Sequence, residues 1–278
     1  MKRITCTIPD SLYSALEKRM GTDNASCDHV VSMALSQCLQ HPLHTLFQVS
    51  TSAALVEGLY QGAVRVSRLL KHGDFGLGTF PDLDGEMVVL DGICYRASSD
   101  GNVSTVDGDR LIPYAVVTQF VAEFAKTSLR FGNYAELVKA CDALRSSENV
   151  FYAFRVEGKF SSVKTRVMKA VPHGIGLKAA SSGQQEFTFE NQVGTLVGLW
   201  SPGFAGSFSV PGYHFHFLSA DRKRGGHVLE CQAIEVIVAG CAMNEMHVSL
   251  PETAEFLKAD LSRDPTVDLM SAERNATS

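Results

Sequence analysis

Residues 212–230 read GYHFHFLSADRKRGGHVLE, and three histidines, His214, His216 and His227, fall within fourteen positions. From Tyr213 to Leu218 bulky residues and histidines alternate, so as a β-strand this segment points His214 and His216 to one face and Tyr213, Phe215 and Phe217 to the other. The following run is polar and ends in Gly225-Gly226, after which a strand-like pattern resumes at His227; the segment reads as a hairpin with a long loop. If Leu218 pairs with His227, ladder parity puts His227 on the face of the other two histidines, with His216 as its diagonal neighbour. Three neutral imidazoles at one point form a divalent-metal site, and zinc held by three histidines keeps a fourth position open, the pattern of catalytic rather than structural zinc. The bland alternative is a pair of polar residues on a wet strand face, and the third histidine counts against it.

Composition bounds the rest. The chain has 278 residues, 45% hydrophobic and 20% charged, which suits a globular protein of one large or two smaller cores. A net charge of -5 gives no overall electrostatic footprint for nucleic acid or anionic membrane, and no apolar run approaches the ~20 residues of a membrane span. The basic N-terminus meets Pro9 and Asp10 before the apolar core of a signal peptide can form, so a cytoplasmic location is expected. Seven cysteines, odd in number and without a CxxC, point to reduced thiols.

Residues 3–8 alternate, with Ile4, Cys6 and Ile8 on one face and Arg3, Thr5 and Thr7 on the other. Pro9-Asp10 opens a predicted helix carrying Leu12, Leu16 and Met20 and ended by Gly21; Ser26 caps a second, with Val30, Ala34, Leu35 and Cys38, stopped by His41-Pro42. Strand, helix, helix resembles a ribbon-helix-helix module, whose strands pair across a dimer and whose outward strand side chains, here Arg3, Thr5 and Thr7, read DNA. The segment carries Lys2, Arg3, Lys18 and Arg19 against Asp10, Glu17, Asp23 and Asp28, so 4 - 4 = 0 and phosphate neutralisation is weak. A dimerising role for residues 1–42 is therefore expected over DNA binding.

Residues 43–278 form the second expected region, divisible into 43–148 and 149–278. Asp84-Gly85, Asp91-Gly92 and Asp100-Gly101 are hairpin-type turns separating β-rich runs at 87–90, 93–97 and 103–106. Segments 116–126 and 134–145 are predicted helices. Strands are predicted at 150–156 and 159–167, about a turn at Glu157-Gly158, and at 187–200; 172–186 reads as a loop and 248–278 as a polar tail with short helical potential. The sum is an α+β fold with mixed and antiparallel sheets and packed helices.

The GYHFHF and GGHVLE segments resemble the metal-binding hairpin of α-acetolactate decarboxylases, and the likeness extends through HGDFGLGTF at 72–80, LDGEM at 83–87, Asp91-Gly92 and SVKTR at 162–166. It covers roughly residues 43–275. It implies His214, His216 and His227 as zinc ligands, Glu86, Arg166 and Glu273 as the catalytic carboxylates and arginine, and Thr79 with Arg166 at the substrate. Glu273 is matched through an Ala-Glu near the C-terminus, with Asp268 and Glu255 as alternative counterparts. Taken singly, each of these polar residues also suits a solvated surface position. His72 lies in a family-like motif and is a candidate to stand behind the ligands; His29, His41, His44, His173 and His247 have no partner spacing. Cys231 falls two residues past Leu229 on the ligand face, as a neighbour of the site or as buried filler.

The implied reaction is decarboxylation of 2-acetolactate to acetoin, in which a cation receives the electrons left on the ketone oxygen and an acid protonates the carbon. The ketone and hydroxyl oxygens of 2-acetolactate are vicinal and can chelate one metal; Arg166 can fork onto the carboxylate, and Glu86 or Glu273 can supply the proton. Two rival readings stand beside it: another zinc lyase or hydrolase with Glu86 as base, and a DNA-binding regulator carrying a decarboxylase-like sensing domain. A homodimer or higher homo-oligomer, with no membrane partner, completes the expectation.

Overall fold

The computed structural model describes residues 4–23, 25–39 and 44–273. The chain divides into two compact units, residues 1–43 and residues 44–278. In the first, α1 (Asp10–Asp23) and α2 (Cys27–Cys38) form, α1 running on through Gly21 rather than ending there, and Ser26 accepts a hydrogen bond from the His29 amide at the N-cap of α2. Residues 4–9 lie in no strand, contrary to the expected ribbon. A single strand has nothing within its own unit to satisfy its backbone groups. Arg3, His41 and Pro42 lie outside the described residues.

The second unit begins with β1 (Thr45–Val49), α3 (Ser52–Val56), β2 (Val64–Arg65), α4 (Val66–Leu69) and β3 (Phe75–Thr79). A meander follows: β4 (Glu86–Leu90), β5 (Ile93–Ala97), β6 (Val103–Thr105), β7 (Leu111–Ile112) and β8 (Tyr114–Thr118). Then come β9 (Phe124–Phe131), α5 (Tyr134–Asp142), β10 (Phe151–Val167), α6 (Leu177–Ser181), β11 (Gln185–Ser201), β12 (Gly212–Ser219) and β13 (Gly225–Met243). The unit closes with β14 (Glu245–Ser249), α7 (Ala254–Lys258) and α8 (Thr266–Glu273). One sheet has seven strands in the order β14-β1-β8-β3-β4-β5-β6, with β1 and β14 parallel and the other pairs antiparallel. The other runs β10-β11-β12-β13-β9, and β13 also pairs with β10, so four of its strands close a ring. The mixed α+β class is as expected. Asp91 and Gly92 both have positive φ, 53° and 76°, which gives the tight β4–β5 turn the twist its strands need.

Three expectations are corrected. Segment 116–126 is not a helix but the end of β8, a bend, and the start of β9. Its apolar residues happen to fall at helical spacing, but β8 is hydrogen-bonded between β1 and β3, and the Phe120 amide donates to Asp74 where the chain turns. Glu157-Gly158 is not a turn, since β10 runs straight through it. A Cβ at Gly158 would lie 2.3 Å from the Glu235 carbonyl oxygen, so glycine permits close strand approach there. The stretch 172–186 contains α6. The helical potential of the C-terminal stretch is realised in α7 and in α8, which buries Leu269 and Ala272.

Strand alternation sorts the apolar residues into layers. Val88, Leu90, Tyr114 and Val116 of the first sheet meet Val197, Leu199 and Leu218 of the second in one core, with β3 and β4 packed on β11, β12 and β13. Phe154, Phe160, Phe215 and Phe217 gather on the other face of the second sheet with Leu137 and Cys141 of α5. Phe47, Met87, Val89 and Val117 line the other face of the first sheet, under α4. The space between the two sheets is where the histidines point.

Candidate active site

His216 lies directly opposite His227 in the β12–β13 ladder, and Leu218 opposite Gly225. The pairing is two residues away from the one expected, and an even shift preserves the face, so the three rings still converge. His214 Nε2 is 3.1 Å from His216 Nε2 and 3.0 Å from His227 Nδ1. Tetrahedral ligation at ~2.0–2.1 Å separates ligand nitrogens by about 3.3 Å, so the spacing suits one ion. His216 Nδ1 bonds the Met87 carbonyl at 2.7 Å and His227 Nε2 the Glu273 carbonyl at 3.2 Å. Those acceptors fix each ring's tautomer and leave the inner nitrogens with free lone pairs. Burial lowers the pKa of His214 to about 3, with the Arg166 charge adding to it, and burial holds His216 and His227 well below the usual histidine range. The rings are neutral, as metal ligation demands.

Arg166 stands opposite His227 in the β10–β13 ladder, which turns its side chain to the same face. It is 4% exposed; its Nη2 donates to Glu273 Oε2 at 2.9 Å, its Nη1 contacts Met168 Sδ at 3.1 Å, and its Nε has no partner. Glu86 Oε1 is 3.9 Å from Arg166 Nη1 and accepts from the Met168 amide at 3.4 Å, while its Oε2 is 3.7 Å from His216 Nε2. Burial pushes the Glu86 carboxyl up to about 7; Arg166 opposes that rise and the Glu273 charge reinforces it. Glu273 Oε2 also lies 3.5 Å from His227 Nδ1 and 3.7 Å from His214 Nε2. The two carboxyl groups thus flank the imidazole cluster, one tightly paired to the guanidinium and one only loosely. Thr79 pairs with Glu86 across β3–β4 and donates its hydroxyl proton to the Gly85 carbonyl at 3.0 Å.

Comparison with known proteins bears on this arrangement. The family model for alpha-acetolactate decarboxylase matches residues 46–263. The chain belongs to the α-acetolactate decarboxylase family. It is 40% identical over 230 residues to the alpha-acetolactate decarboxylase of Methanosarcina mazei, spanning 82% of this chain and 80% of that protein. To that of Bacillus licheniformis it is 36% identical over 239 residues, spanning 84% and 93%. The crystal structure of alpha-acetolactate decarboxylase from Bacillus subtilis strain 168 superposes with a TM-score of 0.79 at 33% identity, covering 83% of this chain and all of that one. The match to the decarboxylase family model begins at residue 46, so the first unit lies outside it.

The structure brings together His214, His216, His227, Glu86, Arg166, Glu273 and Thr79. Of the alternatives to Glu273, Glu255 pairs with Gln61 and His173, and Asp268 with Lys178 and Arg263. His72 does not stand behind the ligands: it stacks on Phe47 at 3.7 Å, on the far face of the first sheet. Cys231 is not on the ligand face. The ladder pairs Lys164 with Glu230 and Thr165 with Val228, so Leu229 is an extra residue and Cys231 turns into the aromatic core beside Val228. Sequence reasoning missed Met168, two residues beyond Arg166, and Tyr114, which lines the cavity with Arg166, His214 and Glu273. Strand alternation signals Tyr114 once β8 is read as a strand.

Proposed function

We infer that this chain is a cytoplasmic, zinc-dependent decarboxylase that converts 2-acetolactate to acetoin and carbon dioxide. The observation that carries the reading is the cluster of three neutral imidazoles, with His214 Nε2 3.1 Å from His216 Nε2 and 3.0 Å from His227 Nδ1, facing the Arg166–Glu273 ion pair. His214, His216 and His227 hold the zinc, which when bound supplies positive charge for the oxygen that receives electrons as carbon dioxide departs. Arg166 orients the substrate carboxylate: its unpartnered Nε is open to a carboxylate oxygen while Nη2 keeps Glu273. The bond to the carboxyl carbon breaks, its electron pair moves toward the ketone oxygen, and Glu86, kept protonated by burial, gives its proton to the carbon that carried the carboxylate. Glu273 pairs with Arg166 at 2.9 Å and holds the guanidinium in place. Thr79 presents its hydroxyl oxygen to the substrate.

Residues 1–42 act as a dimerising module built on α1 and α2 and attached to the catalytic region 43–278. Leu12, Tyr13, Val31, Leu35 and Leu39 are exposed there, and Ser36 is the only buried residue among those described in the unit, which supports a core completed by a second copy. Deleting residues 1–41 should weaken self-association and leave decarboxylation intact, as sedimentation and turnover measurements would tell. The deciding experiment for the activity adds racemic 2-acetolactate and follows carbon dioxide and acetoin with and without chelator. Product formation unaffected by complete metal removal, or no product at all, overturns the reading.

A further inference from the structure

Helix α2 is apolar on two sides, and its neighbouring helix covers one of them. α1 packs on α2, and the residues of α2 that lose exposure are Val30, Met33 and Ser36. At about 100° per residue these three gather on one side, while Cys27, Val31, Ala34 and Cys38 fall within about 60° of arc on another. All four are exposed, Val31 by 39%, and Leu35, exposed by 47%, flanks them. Asp28, the acidic residue of the helix, lies off this stripe.

The stripe matches itself. Its steps of four, three and four residues read the same in either direction, so two copies of α2 laid antiparallel meet at every step, Cys27 against Cys38 of the other copy and Val31 against its Ala34. That is the self-complementary pattern of a two-fold contact. Cys27 and Cys38 stand eleven residues apart, about three turns, so the stripe drifts by only about 20° around the axis and the helices touch along about 16 Å. A parallel pair would set valine on valine and alanine on alanine, a bulge beside a gap, and would bring both Asp28 carboxylates and the like ends of both helix dipoles together. Antiparallel packing opposes each valine to an alanine and holds the two Asp28 residues about 14 Å apart along the axis. Side chains this small let helix axes approach to about 8 Å. With Cα atoms about 2.3 Å off each axis, facing cysteines come within the roughly 4.4–6.8 Å Cα separation that a disulfide spans.

We propose that α2 pairs with α2 of a second copy, antiparallel about a two-fold axis between Ser32 and Met33, with Cys27 of each copy against Cys38 of the other. This pairing rests on the dimerising reading of residues 1–42 and gives it a geometry.

The two Cys27–Cys38 contacts provide the test. In the full-length chain carrying Cys6→Ser, Cys27 and Cys38 are the exposed cysteines, the other four being buried. Oxidised glutathione serves as oxidant: one cysteine thiolate attacks it and releases a glutathione thiolate, the facing thiolate displaces the second, and the two electrons of each new bridge leave on the two glutathiones. Non-reducing electrophoresis after alkylation should show a covalent dimer. Cys27→Ser or Cys38→Ser should each lower its yield at least about tenfold, since every bridge needs one of each residue and like residues lie too far apart to join. Mixing the two single variants should restore it in part. Val31→Glu, which sets charge in the seam and touches no thiol, should raise the dimer dissociation constant about tenfold or more by sedimentation. A covalent dimer that persists in either single variant, a self-associating chain that gives none, or an unchanged dissociation constant in Val31→Glu overturns this pairing and leaves the dimerising reading intact. A monomeric chain, or self-association unchanged by deletion of residues 1–41, overturns the dimerising reading and this pairing with it.

Discussion

Leu269→Ala should detach the last helix from the catalytic unit and switch off turnover without unfolding the protein. Helix α8 has eight residues, too few to be stable in water by itself, so its docking depends on packing. Leu269, 0% exposed, and Ala272, 4% exposed, sit in the core with Leu55, Val56, Leu177 and Ala180 of α3 and α6. Glu273 follows Leu269 by four residues and so projects from the same face of the helix. Shortening a buried leucine to alanine costs ~2–5 kcal/mol. At about 1.4 kcal/mol per factor of ten, the lower end of that range shifts the docked-to-undocked ratio roughly thirtyfold or more. Glu273 then leaves Arg166 in a substantial fraction of molecules, while β12 and β13 keep the three histidines in place. Hydrogen exchange should report lost protection in 266–273, turnover of 2-acetolactate should fall at least about tenfold, and zinc content and the main melting transition should hold. A lowered main transition with undiminished protection of α8 would refute the reasoning, because the helix would then belong to the cooperative core.

Other outcomes follow from the site. His227→Ala removes one of three ligands, so dialysed protein should retain little zinc and no activity; full occupancy by metal analysis would contradict the ligand assignment. Glu86→Gln and Arg166→Ala should still bind zinc but lose turnover by about a hundredfold or more, and near-normal rates would return either residue to a structural role. In the metal-free protein the three histidines have folded pKa values below their unfolded value of 6.5, so the stability they contribute is present above that pH and lost as pH falls. Glu86, raised from 4.5 to about 7, works the other way, its proton favouring the fold at low pH. Between about pH 5 and 6 the three rings together outweigh the one carboxyl, so stability should fall on acidification. Urea midpoints of chelator-treated protein that stay flat or rise over that window would show that the rings are not held neutral.

Much of the site was legible because its key spacings are local. In a strand the side-chain period is two, so HFH alone put His214 and His216 on one face and Phe215 and Phe217 on the other; even a two-residue error in the hairpin register left His227 on the ligand face. The same rule made Cys231 misleading, since one extra residue at Leu229 reverses parity and no residue type announces it. Apolar spacing in 116–126 fits a helix as well as a bent pair of strands, and only hydrogen bonds from β1 and β3 decide between them. Whether Glu273, Glu255 or Asp268 meets Arg166 depended on α8 docking through Leu269 and Ala272 against helices about ninety and two hundred residues earlier in the chain. Local steric rules determine which way a side chain leaves its own strand, and these are written in the sequence. Which distant groups it then meets is set by the packing of whole surfaces, a property of the folded chain.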